Sequence, residues 1–333
     1  MVDDDPQSGE DRLIARHFRP LARARGAFAL TDDAAILEPP AGHDVVLKAD
    51  AIIAGVHFFA DDPAAAVAAK ALRVNLSDLA AKGAAPAGFL LSLALPDTLG
   101  EDWLADFARG LGADADRYGC PLLGGDTDRI AGPAVISIAA FGLVPHGAMI
   151  KRSGARPGDA VVVTGTIGDS ALGLRLKREP GLAARWRLNA VMVEHLVQRY
   201  LLPQPRNAVA AALRAHASAA MDVSDGLVGD LTKLAGVSGV GAEIDAARVP
   251  LSDAARAALA AEPALTETAL TGGDDYEILA TMAPGQVASF TSTAAAAGVA
   301  ATEIGRITAG ADARFLDQAG RALTFARHSY SHF

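Results

Sequence analysis

Apolar positions switch repeatedly between helical and strand spacing along this chain. Leu13, Ile14, His17, Phe18 and Leu21 share one helical face, which predicts an amphipathic helix over residues 10–24. The acid pair of Thr31-Asp32-Asp33 runs into a short apolar stretch, Ala34–Leu37, that reads as a strand, and Val45–Asp50 reads as another. Pro63 opens an Ala/Leu-rich helix that reaches Asn75-Leu76-Ser77-Asp78-Leu79-Ala80-Ala81-Lys82-Gly83. Phe89–Leu95 then predicts a buried strand and Glu101–Tyr118 a second amphipathic helix. Leu122-Leu123 begins a strand that meets Gly124-Gly125-Asp126-Thr127, and Ala134–Val144 is a further strand. The first half therefore alternates strand and helix.

Arg152–Asp159 reads as a loop between halves, which places a boundary near residue 150 and divides the chain into 1–150 and 151–333. Val161–Val163 predicts a strand, followed by Thr164-Gly165-Thr166-Ile167-Gly168-Asp169-Ser170, a Gly-rich turn into a helix of the kind that can bind phosphate. It lacks the lysine and spacing of a Walker A loop and fails the dinucleotide fingerprint. Met221-Asp222-Val223-Ser224-Asp225-Gly226-Leu227 reads as a buried strand delivering two carboxylates to the mouth of a helix marked by Leu227, Leu231 and Leu234. Gly236–Gly241 follows that helix as a cap and turn, and Gly272-Gly273-Asp274-Asp275-Tyr276-Glu277 sets another glycine pair and acids before a strand. The aromatic ending Tyr330-Ser331-His332-Phe333 is expected to pack back on the body. Ser77-Asp78-Leu79 and Ser224-Asp225-Gly226-Leu227 echo each other, as do Gly125-Asp126 and Gly273-Asp274.

Composition narrows the classes. With 333 residues, 51% hydrophobic and 21% charged, the chain can bury a sizeable core and is long enough for two domains. Its net charge of −9 comes without a basic run, which argues against nucleic acid as a partner. No apolar run is long enough to cross a bilayer. Cys120 is the only cysteine, so no disulfide forms within the sequence, and the acidic Met1-Val2-Asp3-Asp4-Asp5 lacks the regions of a signal peptide. A cytoplasmic protein that does not engage membranes is expected.

Asp33, Asp50, Asp78, Asp126, Asp222, Asp225 and Asp274 each end an apolar run or sit beside a glycine. Singly, each is an ordinary turn or cap acid. Close carboxylates repel unless a proton or cation lies between them, and oxygen ligands without a cysteine cluster favour Mg²⁺ over zinc. Magnesium held by carboxylates usually also binds substrate phosphates, and no nucleophile elbow or histidine pair competes for the chemistry. The residues thus favour phosphoryl transfer.

The chain resembles the thiamine-monophosphate kinases, of the superfamily that includes aminoimidazole ribonucleotide synthetase and selenophosphate synthetase. The pieces that carry the resemblance are Gly55-Val56-His57-Phe58, the Asn75–Gly83 and Gly124–Thr127 segments, Met221–Leu227, Gly272–Glu277 and the closing Tyr-Ser-His-Phe. The resemblance implies an α/β fold: an N-terminal half-barrel that binds ATP and metal and pairs in a homodimer, then an α/β domain that completes a site between the two. It implies that Asp33, Asp50, Asp78, Asp126, Asp222 and Asp225 hold several Mg²⁺ ions. It also implies that Gly125, Asp126, Arg152 and Ser224 contact ATP, and that His57, Asp274 and Tyr330 meet thiamine monophosphate. The expected reaction is direct in-line transfer of the ATP γ-phosphate to thiamine monophosphate, giving thiamine diphosphate and ADP, with no dedicated catalytic base.

The chain departs from the family pattern at three places. Thr31 stands where a glycine precedes the first acid pair, and Lys48-Ala49 replaces a Ser/Thr-Thr pair of oxygen ligands. Asp274 replaces a glutamate. Lys48 would set a fixed positive charge where a metal's ligands are expected. Two alternatives stand beside the kinase: another ATP-dependent enzyme of the superfamily, and a non-catalytic protein that binds nucleotide and thiamine phosphate.

Overall fold

A computed structural model describes residues 9–327 and 329; Tyr330 and the rest of the aromatic ending lie outside the described residues. The chain divides into two compact units, one of Met1–Leu79 with Ala85–Gly147, the other of Ala80–Ala84 with Ala148–Phe333.

The first unit contains α1 (Gly9–Leu13), β1 (His43–Ile53), the long helix α2 (Ala64–Ala81), β2 (Ala85–Leu95), α3 (Glu101–Tyr118), β3 (Leu122–Arg129) and β4 (Val135–Pro145). The strands form a sheet in the order β1-β4-β2-β3; β4 is antiparallel to both its neighbours, and β2 and β3 are parallel across α3. Strand β4 shows why one face faces inward. Ile136, Ile138, Ala140 and Val144 are buried, whereas Val135, Ser137, Ala139 and Phe141 alternate with them and stay half-buried. Lys48 pairs with Ala140 and Asp50 with Ile138, so these two polar residues of β1 project from the buried face. Leu47, opposite Phe141, lies on the other face and is 70% exposed.

Helices α2 and α3 are tied by a buried ion pair. Arg73 Nε donates to Asp114 at 2.5 Å and Nη2 at 2.8 Å, with side chains only 6% and 7% exposed. This fork-to-carboxylate geometry satisfies both charges at once.

Two segments depart from their hydrophobic pattern. The helix expected over 10–24 survives as α-helix only to Leu13, then loosens into a π turn over Ile14–Phe18 and a 3-10 turn over Arg19–Leu21. Pro20 is the cause: it has no N–H to donate and its ring crowds the carbonyl four residues back. Ala34–Leu37 forms no strand. Pro39 and Pro40 follow immediately and cannot donate to a ladder; Ile36 N–H donates instead to Gly26 O at 2.9 Å.

The second unit is a six-stranded sheet in the order β10-β7-β9-β5-β8-β6. Its strands are β5 (Ala160–Thr164), β6 (Ala217–Val223), β7 (Gly241–Asp245), β8 (Glu277–Met282), β9 (Ala301–Thr308) and β10 (Ala313–Leu316). Its helices are α4 (Asp169–Arg178), α5 (Leu182–Arg185), α6 (Ala190–Leu201), α7 (Ala210–His216), α8 (Leu227–Ser238), α9 (Asp253–Ala261), α10 (Leu265–Thr271) and α11 (Val287–Ala296). Every residue of β5 and β8 is buried, as expected of central strands covered on both faces. Val161, Val163, Met221 and Leu279 pack with Leu227, Leu231 and Leu234 of α8, while Val162, Ile278 and Ala280 pack with Leu213 of α7 and Phe290 of α11. Helix α8 ends as its glycines predict, at Gly239 in the left-handed conformation.

Replacing Arg73 by alanine leaves the Asp114 carboxylate buried without its partner and should destabilise the protein by about 3–5 kcal/mol in chemical denaturation. A loss below about 1 kcal/mol would show that the pair does not carry the α2–α3 contact.

Candidate functional site

In the first unit the expected residues fall into two groups. Lys48, Asp50 and Asp78 form one: Lys48 Nζ lies 2.7 Å from Asp78 and 3.1 Å from Asp50. Asp78 comes from α2, which therefore lies over the face of the sheet that carries Lys48 and Asp50. Burial lowers the Lys48 pKa, but the neighbouring carboxylates of Asp78 and Asp50 more than reverse it, and the ammonium is held firmly protonated. Burial raises Asp50 above the usual carboxylate range, and Lys48 pulls it back only in part. Just before Asp78, the same helix buries Asn75 Oδ1 and Ser77 Oγ with no hydrogen-bond partner among the described residues.

Asp33, Gly125 and Asp126 form the other group and line a cavity of about 790 Å³. Leu47, Leu90 and Phe141, from the half-bare face of the sheet, share that cavity, while Lys48, Asp50 and Asp78 do not line it. The glycine pair sits inside β3. A Cβ on Gly125 would meet Leu91 O at 1.8 Å, so β2 requires glycine there whatever else approaches it. His57 follows β1 in a turn, where its Nδ1 accepts the Ile53 N–H at 3.0 Å. An accepting Nδ1 carries no proton, so the neutral ring keeps its hydrogen on Nε2.

In the second unit, β6 ends at Asp222 and Val223, and the loop Ser224-Asp225-Gly226 leads into α8, the arrangement its pattern predicts. Asp222 is buried. Asp230, in the first turn of α8, accepts the N–H groups of Ser224 and Asp225 at 3.0 and 2.9 Å and so fixes the loop. Lys233 bridges Asp225 and Asp230. The second glycine-acid loop comes alongside: Asp274 N–H donates to Ser224 O and Tyr276 N–H to Val223 O, both at 2.8 Å. Asp222, Ser224, Asp225 and Asp274 are thereby brought together. Asp274 and Tyr276 adopt φ of 70° and 51°, a left-handed backbone that costs non-glycine residues about 1–3 kcal/mol each and is common where a loop is held for function. Arg152 is exposed in the loop beside β6, where Lys151 O accepts the Ala220 N–H. Tyr330 lies outside the described residues.

The Gly-rich turn before α4 is not open to phosphate. The buried Asp275 carboxylate accepts the Gly168 N–H at 2.8 Å and the Ser170 N–H at 3.4 Å, so the chain's own anion takes the helix N-terminus. Burial pushes Asp275 well above its usual pKa, those N–H groups opposing it. Gly165 makes room for a second buried acid, since a Cβ there would meet Glu277 Oε1 at 2.1 Å. Glu277 is fully buried between Arg199 and Arg206 and accepts the Thr164 hydroxyl at 2.8 Å. Lys233 was detectable in sequence, three residues after Asp230 on a helix face. Arg199 and Arg206 carry no local signal, because nothing in their neighbourhood marks them as partners of a glutamate more than 70 residues on.

Among the described residues, no group of three or more His, Cys, Asp or Glu side chains is placed to hold a metal ion by itself. The donors are nonetheless hard oxygens in small sets. That suits Mg²⁺, which takes one or two carboxylates and completes its shell with water and substrate phosphate rather than an all-protein cage.

Residues 31–144 match the family described as AIR synthase related protein, N-terminal domain, and residues 156–317 match its C-terminal domain. Fold and sequence thus define an AIR synthase-related protein. A thiamine-monophosphate kinase of Caulobacter vibrioides is 43% identical over 301 residues, covering 89% of this chain and 83% of that one. The crystal structure of thiamine-monophosphate kinase from Stenotrophomonas maltophilia K279a superposes with a TM-score of 0.82 at 40% identity, over 94% of this chain and 96% of that one. The structure of AaThiL complexed with AMPPCP and TMP superposes with a TM-score of 0.77 at 32% identity, over 91% of each. The chain belongs to the thiamine-monophosphate kinase family.

A pH dependence follows from α4, α6 and α9, which meet at Asp169. Buried Asp169 accepts from His195, Thr166 and Ser252, and these bonds outweigh burial and lower its pKa. The hydrogen bond to Asp169 raises His195 above 6.5. A raised histidine stabilises the fold fully below its unfolded value and loses that contribution as pH climbs through its folded value. The melting-temperature gap between the protein and His195→Gln should therefore be widest just below pH 6.5 and close at higher pH; a gap that widens with pH contradicts the assignment.

Proposed function

We propose that this chain transfers the γ-phosphoryl group of ATP to the phosphate of thiamine monophosphate, giving thiamine diphosphate and ADP. The observation that carries this is the full-length likeness to AaThiL complexed with AMPPCP and TMP, an ATP analogue and the acceptor, together with the carboxylate-rich loops that this chain retains. A phosphate oxygen of thiamine monophosphate forms a bond to the γ-phosphorus as the bond to the β-bridging oxygen breaks, and the electron pair leaves on ADP. The acceptor oxygen is already anionic near neutral pH, so no side chain has to remove a proton.

The difficulty is bringing two polyanions to an acidic protein. Mg²⁺, when bound, supplies charge neutralisation on the transferring phosphates. Of the six aspartates expected to hold it, Asp33, Asp78, Asp126, Asp222 and Asp225 are proposed as ligands, while Asp50 is tied to Lys48. Gly125, Asp126, Arg152 and Ser224 are proposed to contact ATP, with Ser224 and Asp225 held in place by Asp230. His57 presents Nε2–H as a donor, and with Asp274 and Tyr330 it is proposed to meet thiamine monophosphate. Asp274 lacks one methylene of glutamate and is aimed by a left-handed backbone fixed on Ser224.

The same reading includes a homodimer in the cytoplasm. Strand β1 is an eleven-residue edge strand whose outward face exposes Val45 and Leu47, and such a face calls for a cover. Among the described residues, no helix is long and apolar enough to cross a membrane.

Asp222→Asn should lower kcat at least about a hundredfold with an unchanged melting temperature, the scale of losing one preorganised charge. Near-normal turnover in a Mg²⁺-dependent assay would remove Asp222 from the site. Leu47→Asp should convert a dimer into a monomer by light scattering after size exclusion; a wild-type monomer would refute the dimer.

A further inference from the structure

The position between Asp50 and Asp78 is already taken by a cation of the chain itself. Lys48 Nζ stands 3.1 Å from one carboxylate and 2.7 Å from the other. Its side chain is 27% exposed and that of Asp78 22%, so the contact is shielded enough for charge to count. A divalent ion shared by these carboxylates would need its oxygens at about 2.1 Å, with waters filling an octahedron. The ammonium and such an ion claim the same volume, and their charges repel. Ala49, the next residue, supplies no side-chain oxygen that could hold an ion off to one side. The second unit uses the same device, with Lys233 between Asp225 and Asp230.

We propose that Lys48 is a resident cation that replaces one divalent ion between Asp50 and Asp78, so that this chain works with one fewer metal ion than its acids suggest. The inference deepens the kinase reading, and rests on it only for the use to which the remaining ions are put. Lys48 holds one positive charge between the two carboxylates at every Mg²⁺ concentration, whereas an ion in its place would come and go with supply.

The test is an EPR titration of Mn²⁺ into nucleotide-free protein, counting bound ions per chain. Lys48→Thr, which removes the ammonium and adds an oxygen, should bind one Mn²⁺ more than the wild type, and adding Asp50→Asn to it should abolish the gain. Lys48→Arg should keep the wild-type count. Equal counts for wild type and Lys48→Thr overturn the proposal. If Lys48→Thr does not fold without metal, Asp50→Asn alone in the wild-type background decides: an unchanged count supports the resident cation, and the loss of one ion overturns it. The wild-type count reports separately on the kinase reading. With AMPPCP present, a wild type that binds no Mn²⁺ while Lys48→Thr gains one ion would uphold the lysine and refute the proposed Mg²⁺ ligands.

Discussion

Lys48 between Asp78 and Asp50 states in one contact the constraint under which both units are built. Apolar strands deliver carboxylates into surroundings where charge is poorly screened, and each carboxylate must then meet a cation, a proton or a set of N–H donors. The chain meets the requirement differently at each place. Lys48 and Lys233 are ammoniums set between acid pairs. Glu277 lies between two guanidiniums, and Asp275 takes the N–H groups at the start of α4. Acids such as Asp33 and Asp126 instead line a cavity and are exposed.

The distinction separates structural acids from those available for chemistry. Gly-acid motifs look alike in sequence, yet Asp275 and Glu277 hold β5, β8 and α4 together while Asp274, in the same loop, is half-buried, anchored through its N–H on Ser224 and accepts the Tyr276 hydroxyl at 3.3 Å. Motif shape alone does not sort them.

Much of the fold is legible in the apolar pattern, because strands buried on both faces, such as Val161–Val163, and long Ala/Leu helices, such as Ala64–Ala81, leave strong periodic signals. Periodicity overstates the helix over 10–24 because it ignores the backbone cost of Pro20, and the strand at Ala34–Leu37 because it ignores Pro39 and Pro40. Local sequence leaves the Gly165–Gly168 turn open to phosphate because the anion that fills it, Asp275, lies more than a hundred residues away. Long-range partners such as Arg199 and Arg206 leave no local trace at all. For the site, Asp222 and Asp225 at the mouth of α8 were readable from a strand, a glycine and a helix in succession. The pairing of Lys48 with Asp78 needed the register of β1 against β4 and the placing of α2 over that face.

The central claim is that these neutralised acids serve transfer of phosphate to phosphate. It is met most directly by following the phosphorus atoms by ³¹P NMR in a mixture of the protein, thiamine monophosphate, ATP and Mg²⁺. The account predicts that thiamine diphosphate and ADP appear in equal amounts and that chelating the Mg²⁺ stops both. Release of inorganic phosphate from ATP with thiamine monophosphate left intact, or equal progress without Mg²⁺, would contradict it.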